Sequence, residues 1–228
     1  MSVPRLVEVR ENVLKQNDIL ARSLRQRFRS AGVYVVSLVS SPGAGKTAFL
    51  EKTLSMLRSQ YRVAALVGDL ATANDAARLA RADVPVKQIT TGTICHLEAA
   101  MVEHSLDEWN LNELDYLFIE NVGNMVCPSS YDLGEDLRFV LMSTTEGEDK
   151  PLKYPTIFNT ADVAIITKID LTEAVEFDLE AARNSIQQVR PGMKIIKVSA
   201  KTGEGMNEWL EFLRHKSVPS AVAGGSVT

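Results

Sequence analysis

The stretch Ser40-Ser41-Pro42-Gly43-Ala44-Gly45-Lys46-Thr47 has the residue types needed to grip a nucleoside triphosphate. Gly43 and Gly45 let backbone N–H groups turn inward around phosphates. Lys46 supplies a point charge for the β- and γ-phosphates, and the Thr47 hydroxyl can ligate Mg²⁺. A helix opening near Thr47 would add the positive end of its dipole, so Pro42 through Ala48 form the expected phosphate contact. One position departs from the pattern G-x-x-x-x-G-K-[ST]: Ser40 stands where the first glycine is expected.

Two later segments select the base. Thr167-Lys168-Ile169-Asp170 follows the apolar run Val163-Ala164-Ile165-Ile166. Asp170 can accept from guanine N1–H and the 2-amino group, a pattern adenine cannot match, and the Lys168 stem can lie over the base. Ser199-Ala200-Lys201, after a second apolar run, offers backbone to guanine O6. Alone, T-K-x-D is a charged turn; behind a phosphate loop and ahead of S-A-K it indicates GTP and GDP rather than ATP.

Acidic groups for Mg²⁺ are expected at Asp69, Asp75 and Glu120. Magnesium usually takes only one or two protein carboxylates, so not all three are ligands. Gly123 could offer its N–H to the γ-phosphate. Asp75 is alternatively a helix cap. No glutamine follows the Glu120 strand to orient water, so hydrolysis should be slow, with Lys46, Asp75 and Glu120 as the catalytic set and an acidic group such as Asp75 positioning the water.

A second chemistry is offered by Cys95-His96 and Cys127. Cys95 is expected at a helix N-terminus, where the dipole favours thiolate. Two sulfurs and an imidazole suit Zn²⁺ or Ni²⁺ but are one ligand short of a closed tetrahedral site, which a twofold dimer would remedy. Two core cysteines remain the alternative. His104, eight residues after His96, would be about 12 Å away along a shared helix. It is a second-ion ligand, a contribution from a facing subunit, or a surface histidine.

These residues need strands that end together. Apolar runs Val33–Val39, Val63–Val67, Val86–Thr90, Tyr116–Ile119, Val163–Ile166 and Lys194–Val198 read as strands. Helices are expected over about Ala48–Ser59, Asp75–Ala82, from Cys95, Phe177–Val189 and Met206–Arg214. The alternation predicts an α/β fold: a doubly wound, mostly parallel sheet flanked by helices, with ligands at the carboxyl ends of its strands. Ahead of it, Leu6, Val9, Val13, Leu20, Leu24 and Phe28 mark an amphipathic helix stopped by Gly32. The expected organisation is therefore an N-terminal helix over 1–31, a P-loop domain over 32–216 and a disordered tail over 217–228. The charged loop Glu146–Lys153 is either part of an interface or a solvated face.

Across 228 residues, 45% are hydrophobic and 24% charged, ordinary values for a globular protein. A net charge of −4 argues against nucleic-acid or membrane-surface partners. No apolar run approaches membrane-spanning length and no signal-peptide pattern opens the chain, so a cytoplasmic location is expected. Two cysteines cannot build a disulfide framework.

The chain resembles the hydrogenase-maturation nickel-insertion GTPases, the HypB-like branch of the SIMIBI class of P-loop GTPases. The resemblance rests on Ser41-Pro42-Gly43-Ala44-Gly45-Lys46-Thr47, Thr91-Gly92-Thr93-Ile94-Cys95-His96-Leu97, Glu120-Asn121-Val122-Gly123-Asn124-Met125-Val126-Cys127-Pro128, Thr167-Lys168-Ile169-Asp170 and Ser199-Ala200-Lys201. It implies GTP-dependent homodimerisation coupled to nickel handling, with Cys95, His96 and Cys127 as ligands and zinc able to occupy the same site. It also implies a maturation partner protein and the hydrogenase large subunit as partners. Many relatives carry an N-terminal Cys motif or a His-rich stretch; this sequence shows neither, so a storage role is not expected. A urease-type nickel GTPase would carry Cys-Pro-His where this chain has Cys95-His96. A metal-binding adaptor with structural nucleotide is the rival from another class.

Overall fold

The computed structural model describes residues 5–70 and 74–217. Seven strands, β1 (Tyr34–Ser40), β2 (Val63–Asp69), β3 (Val86–Thr90), β4 (Tyr116–Glu120), β5 (Leu137–Ser143), β6 (Val163–Thr167) and β7 (Lys194–Lys197), form one sheet. Their order is β3-β2-β4-β1-β5-β6-β7, and every pairing is parallel. The helices are α1 (Arg5–Ala31), α2 (Lys46–Leu57), α3 (Asn74–Leu79), α4 (Ala99–Ser105), α5 (Lys150–Lys153), α6 (Pro155–Thr160), α7 (Leu179–Val189) and α8 (Met206–Ser217).

Parallel strands connected by helical crossovers are covered on both faces, so the central strands read as continuous apolar runs. In β1, Val36 and Leu38 pack with Phe49, Leu50 and Leu54 of α2 and with Trp209 of α8. Val35 points the other way, into a cluster with Leu24 and Phe28 of α1 and Val102 of α4. Val39 joins Phe158 of α6 and Ile186 of α7 on that same face. Helix α1 buries Ala21, Leu24 and Phe28 at helical spacing and stops at Gly32, whose φ of +73° suits glycine. Val13 of the expected apolar stripe is instead 43% exposed.

Strand β5 is absent from the sequence reading, although Leu137-Arg138-Phe139-Val140-Leu141-Met142-Ser143 is buried throughout and pairs with both β1 and β6. The helix expected from Cys95 begins only at Ala99. The phosphate-loop helix starts two residues earlier than expected, at Lys46, and α8 continues to Ser217. Of the expected tail, residues 218–228 lie outside the described residues, as do residues 71–73 of the loop expected before Asn74.

Register assembles the site. Glu120 pairs with Leu38 on one side and Val67 on the other, and Ser143 pairs with Thr167. The carboxyl ends of β1, β2, β4 and β6 therefore surround the loop that follows Ser40.

Candidate nucleotide and metal sites

Gly43 and Gly45 hold φ of +75° and +89°, as expected of a loop that turns its N–H groups inward. Lys46 Nζ donates to Ser40 Oγ at 3.0 Å, so the serine in the place of the first glycine anchors the lysine in a buried position. The Thr47 hydroxyl donates to Glu120 Oε1 at 2.8 Å. The other oxygen, Glu120 Oε2, is buried without a hydrogen-bond partner. Burial pushes the Lys46 ammonium down, opposed by Glu120, Asp75 and Glu146. Burial likewise pushes Glu120 up to about 7, against the pull of Lys46 and the Thr47 bond.

An unmet buried carboxylate oxygen beside a threonine hydroxyl has the donor chemistry of a Mg²⁺ site. Of the other expected acids, Asp75 is close enough for both Lys46 and Glu120 to feel its charge. It lies in the first turn of α3 rather than at its cap, since the helix opens at Asn74. Asp69 turns one oxygen back on the Leu70 N–H at 2.7 Å. Gly123 lies against the phosphate loop: a Cβ there would stand 3.0 Å from Pro42 Cα and 3.4 Å from Lys46 Nζ.

The base end is tied to the phosphate end. Thr167 Oγ1 donates to the Ala44 carbonyl at 2.6 Å, and Lys168 Nζ donates to the Gly43 carbonyl at 2.8 Å. Lys168 adopts φ of +59°, a left-handed conformation costly for a long side chain and held here by its Nζ bonds. Ser199 Oγ donates to Asp170 Oδ1 at 2.6 Å, orienting the carboxylate. Gly45, Ala48, Lys168, Asp170, Ala200 and Lys201 line a cavity of about 210 Å³ between these groups. Glu146 accepts from the Ser41 hydroxyl and the Ser143 N–H, and pairs with Lys150 at 2.9 Å. The charged loop Glu146–Lys153 is thus tied by Glu146 into the phosphate loop, a role its sequence did not reveal.

The second cluster lies beyond β3 and β4. Donor atoms of Cys95, His96 and Cys127 all fall within 4.8 Å of one another. The two sulfurs are 2.8 Å apart, well beyond a disulfide bond of about 2.05 Å, and both cysteines are half-buried. His96 is 12% exposed and tilts against the Tyr131 ring at a centroid distance of 4.0 Å. Its Nε2 lies 3.3 Å from Glu98 Oε1, while Nδ1 is buried without a partner. A carboxylate on one ring nitrogen leaves the other for a metal, a common arrangement for a histidine ligand.

Side-chain bonds to backbone hold these candidate ligands in place. Asn124 Oδ1 accepts from the Val126 and Cys127 N–H groups at 2.8 and 3.4 Å. Asn121 Oδ1 accepts from Leu97 N–H at 3.0 Å, joining the residue after Glu120 to the residue after His96. Asn121 and Asn124 stood in the quoted motif without a role, because a side chain that bonds backbone leaves no spacing signature.

Two expectations are corrected. Cys95 precedes α4 by four residues, so no helix dipole acts on it. His96 and His104 share no helix: His104 is on α4, with 89% of its side chain exposed, 3.5 Å from Asp107, and outside the cluster of three. Among the described residues, no helix is long and apolar enough to cross a membrane.

Comparison with known proteins gives the family of this fold. Residues 34–197 match the model of the CobW/HypB/UreG nucleotide-binding domain. The chain is 44% identical over 216 residues to the hydrogenase maturation factor HypB of Azotobacter vinelandii, covering 95% of this chain and 71% of that one. It is 43% identical over 214 residues to the hydrogenase/urease maturation factor HypB of Helicobacter hepaticus, covering 92% and 88%. The crystal structure of Helicobacter pylori HypB in complex with nickel superposes with a TM-score of 0.83 at 42% identity, covering 89% of this chain and 95% of that one. An all-parallel sheet with a phosphate loop after its central strand defines a P-loop nucleotide-binding protein. Within that class, the chain belongs to the HypB hydrogenase maturation factors of the CobW/HypB/UreG family.

Proposed function

We propose that the protein is a GTP-hydrolysing metallochaperone that carries nickel, or zinc in the same site, and makes its delivery in [NiFe]-hydrogenase maturation conditional on the bound nucleotide. The observation that carries this reading is the short path between the two sites. Glu120 bonds Thr47 at the phosphate end, Asn121 bonds Leu97 beside His96, and Asn124 bonds the Cys127 N–H. One segment thus reaches from the triphosphate site to the metal cluster.

Mg²⁺, held by Thr47 and Glu120, would neutralise charge on the β- and γ-phosphates. Lys46 binds those phosphates, Gly123 offers its N–H at the γ-phosphate, and Asp75 orients the attacking water. Asp170, steered by Ser199, selects guanine. Cys95, His96 and Cys127 supply three ligands, and a GTP-dependent homodimer supplies the remainder across its axis. Exposed Ile94 and Val126, each adjacent to a cysteine, favour an interface there. The partners are a maturation protein and the hydrogenase large subunit, in the cytoplasm; the absence of Pro between Cys95 and His96 disfavours a urease-type enzyme.

Native mass spectrometry with Ni²⁺ tests this, comparing a Mg²⁺–GTP analogue, Mg²⁺–GDP and no nucleotide. The expected result is a dimer with the analogue that retains nickel and loses it on Cys127→Ala. A monomer in every state, with nickel retention independent of nucleotide, overturns it.

A further inference from the structure

We infer that Asn17 of α1 is a positioning residue that clamps together the two segments bearing the metal ligands; the inference rests on reading Cys95, His96 and Cys127 as the metal site. Asn17 is only 7% exposed. Its Oδ1 accepts from the Ala99 N–H at 2.9 Å, and its Nδ2 donates to the Asp132 carbonyl at 2.8 Å. Ala99 is three residues past His96, and Asp132 is five past Cys127 and directly follows Tyr131, on which His96 packs. One planar amide therefore spans the Cys95-His96 segment and the Cys127 segment from behind.

The chemistry needs this side chain. Ala99 presents a donor and Asp132 an acceptor, and a primary amide is the short group that answers both. Turning the amide over would set N–H against N–H and carbonyl against carbonyl, so its orientation is fixed. Packing of α1 is already provided by Ala21, Leu24 and Phe28. An apolar residue at 17 would serve packing alone, whereas it would leave the buried Ala99 N–H and the part-buried Asp132 carbonyl unmet at the point where the segments meet.

Neighbouring contacts hold the same loop on α1. Arg25 Nη2 donates to Asp132 Oδ1 at 2.6 Å. A Cβ at Gly134 would stand 2.9 Å from the Ala21 carbonyl and from Leu24 Cβ, so residues 132–134 lie directly on the helix. Helix α1 is thus a rigid back-plate, and Asn17 is its attachment to both sides of the cluster.

The test uses the full chain, with Ni²⁺ affinity measured by chelator competition, the Ni²⁺–thiolate charge-transfer absorption, and Mg²⁺–GDP affinity. Asn17→Leu is expected to weaken Ni²⁺ about 10- to 100-fold, the usual effect of removing an outer support. It should also alter the charge-transfer band while leaving GDP affinity within about twofold, since Asn17 touches no part of the nucleotide site. A merely structural role would lower the melting temperature without moving either metal readout. Where leucine prevents folding, Asn17→Asp decides: it keeps the Ala99 bond and sets an oxygen against the Asp132 carbonyl. Cys127→Ser is run alongside. Its loss of Ni²⁺ together with unchanged affinity in the Asn17 variant overturns the positioning role alone; full affinity in Cys127→Ser overturns the three-ligand reading beneath it.

Discussion

The Thr47 hydroxyl donates to Glu120 Oε1 at 2.8 Å across the gap between α2 and β4. The parallel register sets this bond, because Glu120 lies opposite Leu38 of β1, two residues short of the phosphate loop. It leaves Oε2 buried and unmet in a site with Lys46 close by. A carboxylate so placed is costly to ionise alone and favourable to ionise beside a divalent cation.

That cost gives a pH dependence. Glu120 moves from an ordinary value of 4.5 to about 7. A raised folded value means that the stability contribution of this group is full below about pH 4.5 and is lost as pH rises through about 7, a difference of about 3 kcal/mol. Mg²⁺–nucleotide should therefore bind more tightly at pH 8 than at pH 6 and release close to one proton at the lower pH. Calorimetry in buffers of different ionisation enthalpy measures that proton. Glu120→Gln should abolish the proton release, weaken Mg²⁺ and raise metal-free stability at pH 8; unaltered proton release in this variant would assign it to another group.

Lys46→Ala is expected to lower turnover by about 10²- to 10³-fold while the fold persists, because on the proposed reading it would remove a charge aimed at the transferring phosphoryl group. Ser40 Oγ, which otherwise accepts from Lys46 at 3.0 Å, retains its bond to the Ser41 carbonyl at 2.7 Å, so no new buried donor is stranded. Phosphate-release kinetics beside circular dichroism make the check. Wild-type turnover in the variant would remove Lys46 from the catalytic set, and no measurable turnover in the wild type itself would leave an adaptor with structural nucleotide.

Much of this was legible in sequence, for physical reasons that differ by element. The phosphate loop announces itself because glycine is required where φ is positive, at Gly43 and Gly45. Strands β1, β2, β4 and β6 show as apolar runs because both faces are buried. Strand β5 shows the same run, and Arg138 within it hid the pattern; the structure pairs that arginine with Glu135 at 2.6 Å in the interior. The start of α4 was misplaced because Cys95 and His96 follow a glycine turn with no cap residue to mark the boundary. Tyr131 and Asn121 were illegible because they meet the His96 segment across distances set only by folding, and Glu98, two residues from His96, because its approach to the ring depends on the turn of the loop between them.

Asp170→Asn should exchange the base preferred. The aspartate, fixed by Ser199 Oγ at 2.6 Å, would present two acceptors to N1–H and the 2-amino group of guanine on the proposed reading. An asparagine presents one donor, which suits the C2 carbonyl of xanthine and opposes the guanine amine. GTP affinity is expected to fall about 100-fold or more, with XTP gaining, because a misfit buried hydrogen-bonding group is rejected strongly. Competition between the two nucleotides measures it. Equal loss of both would mean that Asp170 supports the loop without reading the base.

Gly123→Ala tests whether the two sites communicate. The glycine has no need of a left-handed backbone; its constraint is space, since an added Cβ would meet Pro42 Cα at 3.0 Å, Pro42 N at 3.2 Å and Lys46 Nζ at 3.4 Å. Two of these atoms are backbone of the phosphate loop and yield only if the 121–124 segment backs away. Retreat there displaces Asn124, which accepts from the Cys127 N–H at 3.4 Å, and strains Asn121, which accepts from Leu97 N–H at 3.0 Å. The variant is therefore expected to bind GDP nearly normally, to bind a GTP analogue about 10-fold more weakly, and to lose most of the difference in Ni²⁺ affinity between the two nucleotide states. A ligand shifts such an equilibrium only by its differential affinity for the two arrangements, and this substitution acts on that difference. Chelator competition under each nucleotide supplies the measurement. A wild-type nucleotide effect on Ni²⁺ in the variant would mean that the signal does not pass through the 121–124 segment.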